Sequence, residues 1–213
     1  KVSRLAPKDI TERKSLIDLL SSSGNQDEVV QQYIDLANVH YLLADLNEAR
    51  RAYHSALNLS RQNRTSRDLS IKILNRLADI ELQSLNWKEA ILVYEQMRSL
   101  LPSDPAPRIA LVDLYFRLGL NAAAINEVDA FLKLLESEDK EQEAEKFLDD
   151  LMVEKPENIE IQKRVASYYT SRGQLDTAIV KLDALAEKLL VQKKPSASAA
   201  VVAEIIALNP PNR

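Results

Sequence analysis

His40 and His54 are the only histidines in this 213-residue sequence, and a catalytic or metal centre would have to begin with them. Metal sites need three or more converging ligands. The sequence has no cysteine and no His-Glu-x-x-His pattern to complete such a set, so both histidines are expected to serve structure or surface. The run ESEDKEQEAE (136–145) could be pictured as a carboxylate site. It reads instead as a helix start, with acids near the positive end of the helix dipole and a solvated face. Phosphate-cradling loops and the G-x-S-x-G elbow need closely spaced glycines. The chain has three glycines in all, Gly24, Gly119 and Gly173, too far apart to build either. The expectation is therefore a non-enzyme without cofactor or metal.

Arg61, Arg64, Arg67, Lys72 and Arg76 form the one basic concentration. It could dock an acidic partner or nucleic acid, but no aromatics interleave with it and the net charge is −4. A solvated loop is expected there, and no nucleic acid. Asn58-Leu59-Ser60 and Asn63-Arg64-Thr65 fit the glycosylation triplet, but no secretory signal precedes them. No apolar run approaches the roughly 18 residues that span a bilayer, so membrane insertion is not expected. The absence of cysteine leaves the compartment open, with the cytoplasm favoured. A hydrophobic content of 46% with only 5% aromatics points to a folded chain of closely packed helices.

What would position these residues follows from the glycines. Each stands 17 residues after a proline: Pro7 and Gly24, Pro102 and Gly119, Pro156 and Gly173. Pro102, Pro156 and Pro210 step by 54, and Pro7 precedes Pro102 by 95. Repetition on this scale signals an array of helical units. Proline stands in the loop after a helix ends, and glycine takes the left-handed conformation that closes the next one. Asn25, Asn121 and Gln174 or Asp176 are then expected to cap the helix that follows.

Within those helices large and small residues alternate in register. LNEARRAYHSALNL (46–59) places Ala49, Tyr53 and Ala56 on one face, and LNWKEAILVYEQMRSLLP repeats this with Ala90, Tyr94 and Met97. Ala124, Val128 and Phe131 follow, then Ala178, Leu182 and Leu185. The preceding helices supply Leu36-Ala37, Leu77-Ala78, Leu111-Val112 and Val165-Ala166. Small residues allow close backbone approach while large ones fill the space around them. The pattern resembles the tetratricopeptide repeat, a 34-residue helix–turn–helix unit, most closely over 30–63 and then over 71–104, 105–138 and 159–192. An additional single helix, EQEAEKFLDDLMVEKP, stands between repeats, and the same extra helix recurs as SASAAVVAEIIALNP after the last one. The expected fold is all-α, an α-solenoid with a right-handed superhelix of eleven antiparallel helices, in blocks 8–61, 62–102, 103–156 and 157–210. Polar caps over the ends are missing, which suggests a segment of a longer protein and allows self-association through the ends.

The resemblance also implies where function lies, on the first helix of each repeat along a concave groove. Carried over, the groove residues are Ile34, Asn38 and Tyr41; Lys72, Asn75, Asp79 and Leu82; Ile109, Asp113 and Phe116, with Gln31 and Ala106 beside them. Ile34, Tyr41, Leu82, Ile109 and Phe116 would make an exposed apolar row. The family's clamp for a terminal carboxylate is not expected, since Ile34, Arg76, Ala106 and Ala110 hold its other positions. The implied function is an interaction scaffold that binds an extended or helical polypeptide segment. The alternative is a ligand-sensing domain of a larger signalling or transcription-regulatory protein.

Overall fold

The computed structural model describes residues 10–62 and 67–208, which form eleven helices and no strand. They are α1 (Ile10–Ser22), α2 (Gln26–Leu42), α3 (Leu46–Gln62), α4 (Arg67–Gln83), α5 (Trp87–Leu100) and α6 (Pro105–Arg117). Then come α7 (Asn121–Ser137), α8 (Glu141–Glu154), α9 (Ile159–Ser171), α10 (Leu175–Val191) and α11 (Pro195–Ala207). Pro7, Pro210, Arg64, the Asn63-Arg64-Thr65 triplet and both chain ends lie outside the described residues.

Seven tight turns join helices, and each turns on one left-handed residue. Gly24, Gly119 and Gly173 take φ of 72–75°, as their spacing predicts. Ala44, Leu85, Asp139 and Lys193 do the same work without glycine, at φ of 56–60°. In each of these four turns the amide after the left-handed residue reaches back five positions, as from Asp45 N–H to the His40 carbonyl at 2.9 Å.

The expected asparagine caps do not form. Asn25 precedes α2 without a side-chain bond to it, Leu120 stands where Asn121 was expected, and Gln174 likewise caps nothing. The residues entering a helix directly from a left-handed turn have ψ of 50–68°, whereas Asp104 and Asn158, in the loops after proline, are extended with ψ of 122° and 106°. Asp45, which follows the left-handed Ala44, does accept from Glu48 N–H at 3.3 Å, so such a turn does not by itself prevent a cap. Asp104 accepts from Ala106 N–H at 2.9 Å, and Asn158 from Ile161 N–H at 3.2 Å.

The helices gather into two units, residues 1–119 and 120–213. In the N-terminal unit α3 packs against α2 and α4, and α5 against α4 and α6. Tyr53, Ile73, Leu74, Leu77 and Ile80 are sealed among Ala37, Ala49 and Ala56, each of the three alanines fully buried. In the C-terminal unit α7 packs on α8, and α10 on α9 and α11. There Phe131 of α7 meets Phe147 of α8 edge to face, with centroids 4.7 Å apart. Both interiors follow one rule, large side chains held where small ones bring the backbones close.

Among the described residues of the basic concentration, Arg61, Arg67, Lys72 and Arg76 are all helical. Arg61 is helical in α3 and donates to Gln96 Oε1 at 2.6 Å, and Arg67 begins α4 and donates to the Leu100 carbonyl. Both cations therefore tie neighbouring helices to α5.

Candidate functional site

The residues that could form a groove lie on α2, α4 and α6, all within the N-terminal unit. Between α2 and α4 a pocket of about 430 Å³ opens, lined by Gln31, Ile34, Asn38, Lys72, Asn75 and Arg76. Leu69 and Ile73 contribute apolar wall, and Tyr53 of α3 contributes to the lining from behind. The helical period explains this gathering: Gln31, Ile34 and Asn38 rise along one stripe of α2, and Lys72, Asn75 and Arg76 along one stripe of α4.

The hydrogen-bonding state of these side chains determines what the pocket can offer. The Tyr53 hydroxyl donates to Asn38 Oδ1 at 2.7 Å, which leaves the Asn38 NH₂ without a partner among the described residues. Gln31 spends its NH₂ on Asp35 Oδ1 at 3.0 Å and keeps its carbonyl free. Asn75 and Lys72 make no hydrogen bond or ion pair among the described residues. Arg76 stands 3.8 Å from Asp79 Oδ2, both on the exposed surface of α4. Burial raises the Tyr53 phenol above its usual range, with Tyr41 and Asp79 adding to the rise and Arg76 opposing it.

Farther along α4 the seam with α6 repeats the arrangement. Tyr94 of α5 is raised by burial and then by Asp79 and Asp113, which flank it from α4 and α6. Asp113 accepts from Arg117 Nε at 2.6 Å, and Arg117 lies over the Trp87 ring at 5.5 Å. Tyr41 is held by Gln83, whose Nε2 donates to its hydroxyl at 2.7 Å, joining α2 to the end of α4.

Of the ten groove residues, the structure thus brings Ile34, Asn38, Lys72 and Asn75 to one pocket. Asp79 and Asp113 flank the second seam, and Leu82 packs on the cluster of Ala90, Ile91, Leu111 and Leu114. The expected exposed apolar row is absent: Ile34, Tyr41, Leu82, Ile109 and Phe116 are all half-buried, because neighbouring helices cover one side of each. Tyr53 and Gln83 were not anticipated as parts of the site. Tyr53 carries the large-residue signature of a core position, and only its hydroxyl reaches the groove.

The remaining candidates take structural places. His40 is buried, with Nδ1 3.3 Å from Asp45 Oδ2, and His54 lies on the exposed side of α3. The acids of 136–145 bracket two cations. Lys140 stands 2.9 Å from Glu138 and 3.7 Å from Glu143, and Arg172 stands 3.2 Å from Glu136 and 3.7 Å from Glu141. Among the described residues no group of three or more His, Asp or Glu could hold a metal ion. No helix there is long and apolar enough to cross a membrane.

The left-handed turn, the hairpin it closes and the alanine seam between hairpins define the architecture. The fold is tetratricopeptide-like. No protein-family model matches the sequence, and no curated protein matches it. Among solved structures the chain is similar to BtubC (BKLC) from P. vanneervenii, at 16% identity over 96% of this chain and 93% of that one, with a TM-score of 0.49. It is similar to a Rap protein complexed with Competence and Sporulation Factor, at 14% identity over 94% of this chain, with a TM-score of 0.46. The chain spans 58% of the length of that Rap protein. A tetratricopeptide repeat protein from Parabacteroides merdae ATCC 43184 is 14% identical over 94% of this chain and 93% of that one, with a TM-score of 0.38.

Proposed function

We propose that this protein is an interaction scaffold whose N-terminal unit holds an extended polypeptide segment in the seam between α2 and α4. The observation that carries the reading is the pocket of about 430 Å³ whose lining side-chain amides are left with complementary unused capacity. An extended peptide presents alternating N–H and C=O groups that need partners. The free Asn38 NH₂ donates, the free Gln31 carbonyl accepts, and Asn75 does both. Lys72 and Arg76 add donors that favour carbonyls and carboxylates, while Ile34, Leu69 and Ile73 receive an apolar side chain. Main-chain contacts supply affinity and the pocket supplies selectivity.

The test is selection from a displayed peptide library on the intact chain, followed by titration of the selected peptides. Replacing Asn38 and Asn75 together with alanine should weaken binding about tenfold or more, given roughly 1 kcal/mol per hydrogen bond. Circular dichroism would confirm that the double variant stays folded. Selected peptides that bind it as tightly as the original protein would place their site elsewhere.

A further inference from the structure

The turns on either side of α2 recur in register later in the chain. Gly24 and Ala44, both left-handed, stand 95 residues before Gly119 and Asp139 and 149 before Gly173 and Lys193. That register sets His40 against Leu135 and Leu189, and Ala52 against Phe147 and Val201. All four counterparts are buried apolar residues. In α8 the Phe147 ring fills its position and meets Phe131 edge to face. Ala52 is too small to fill its own, and a pocket of about 320 Å³ opens beside it. Residues of α1, α2 and α3 wall this space together.

The pocket lies on the other face of α2 from the seam with α4. Tyr33, Leu36 and His40 follow Gln31, Ile34 and Asn38 by two positions each, about 200° around the helix. His40 is 5% exposed, and neither ring nitrogen makes a hydrogen bond. A sealed imidazole without a partner carries a desolvation cost that leucine avoids at Leu135 and Leu189. Asp45 Oδ2, 3.3 Å from Nδ1, favours the proton on that nitrogen and leaves Nε2 as an acceptor. Lys14 and Asp18 of α1, exposed and one turn apart, are unpaired among the described residues. The Tyr33 and Ser55 hydroxyls are unbonded there too, whereas Arg51 and Glu48 engage each other. The pocket thus offers one free cation and one free anion beside an apolar wall of Ile17, Leu36 and Ala52.

We propose that this pocket binds a free α-amino acid with a branched or aromatic apolar side chain. Its carboxylate meets Lys14, its ammonium donates to Asp18 and His40, and its side chain takes the place that Phe147 and Val201 fill in α8 and α11. A ligand with a single charge engages only one of the two ions. The site is independent of a peptide held between α2 and α4.

The test is titration calorimetry of the 213-residue protein with free leucine and phenylalanine, beside their amides and N-acetyl derivatives. Saturable binding of at least one free amino acid is expected by millimolar concentration. The amide and N-acetyl forms should bind about tenfold or more weakly, each having lost one charged contact. Ala52→Phe places in the pocket the side chain that α8 carries there and should abolish binding with helical circular dichroism retained. Because a larger residue can strain a core, Lys14→Met at an exposed position gives a second readout. It should weaken binding about tenfold with Tm unchanged. Replacing Asn38 and Asn75 with alanine should leave amino-acid binding as it was. No binding of either amino acid, equal binding of the derivatives, or unchanged binding by Ala52→Phe or Lys14→Met would overturn the proposal. So would loss of amino-acid binding in the Asn38 and Asn75 variant, which would move the ligand to the pocket between α2 and α4.

Discussion

Tyr53 of α3 donates its hydroxyl to Asn38 of α2 at 2.7 Å, so a ring buried in the second helix of a hairpin orients an amide that lines the pocket between α2 and α4. Tyr53→Phe keeps the ring, which is 1% exposed, and removes only that bond. A loss of about 1 kcal/mol in stability is expected from equilibrium denaturation. Binding of any peptide selected on the wild-type chain should weaken as well, because Asn38 then turns freely. A variant that loses stability but binds unchanged would show that Asn38 takes no part in the site.

The left-handed turns predict an asymmetry between two sets of substitutions. Leu85 holds φ of 56°, which costs a β-carbon-bearing residue about 1 kcal/mol or more. Leu85→Gly relieves that strain and gives back part of it through the freer unfolded chain, for a net gain of about 0.5 kcal/mol. Gly173→Ala runs the other way. A β-carbon added there meets nothing within 4 Å, so its expected loss of about 1 kcal/mol comes from φ alone. Denaturation midpoints that move in the same direction for both would contradict this account.

These turns also show how far the sequence could be read. Glycine advertises a left-handed residue and proline the end of a helix, so their common spacing made three hairpins visible without coordinates. The turns at Ala44, Leu85, Asp139 and Lys193 carry no such residue, and only helix periodicity exposed them. Asn25 and Gln174 precede their helices without a side-chain cap bond, although residue type suggested a cap there. The positions of Asn38 and Asn75 were implied by the resemblance to the tetratricopeptide repeat, and both line the pocket between α2 and α4. The tyrosine hydroxyl behind them was not implied, because an aromatic at a packing position looks the same whether or not its tip finds a partner. The link between Arg50 and Glu81 spans 31 residues and two helices, a separation that no local pattern encodes.

That link separates buried from exposed charge. Glu81 is 2% exposed; it accepts from the Arg50 guanidinium on one side and from Asn86 Nδ2 at 2.9 Å on the other. Arg50→Ala strands a carboxylate away from water and should cost about 3 kcal/mol. Glu48 and Arg51, paired at 2.5 Å on the open surface of α3, offer the control. Arg51→Ala should cost less than about 1 kcal/mol, since exposed pairs are screened and pay side-chain entropy. Chemical denaturation of the two variants side by side measures the contrast, and equal losses would mean that Glu81 is solvated in solution.

Alkaline titration gives an independent test of tyrosine burial. Tyr53, Tyr94, Tyr168 and Tyr169 are all raised above the ordinary phenol value of 10.0, burial being the leading cause in each. A phenol raised in the folded state holds its proton more tightly there than in the unfolded chain. Its contribution to stability is complete below pH 10 and is lost as pH rises through the folded-state value. The unfolding free energy should therefore be insensitive to these groups up to about pH 9 and fall steeply above pH 10. Tyr53→Phe removes one of the four, so its fall should be shallower, and the gap between variant and wild type should narrow as pH rises. Denaturant titrations at about pH 8, 10 and 11 would show it. A gap that stays constant across the series would mean that the Tyr53 hydroxyl ionises as freely in the folded protein as in the unfolded one, and so is not buried in solution.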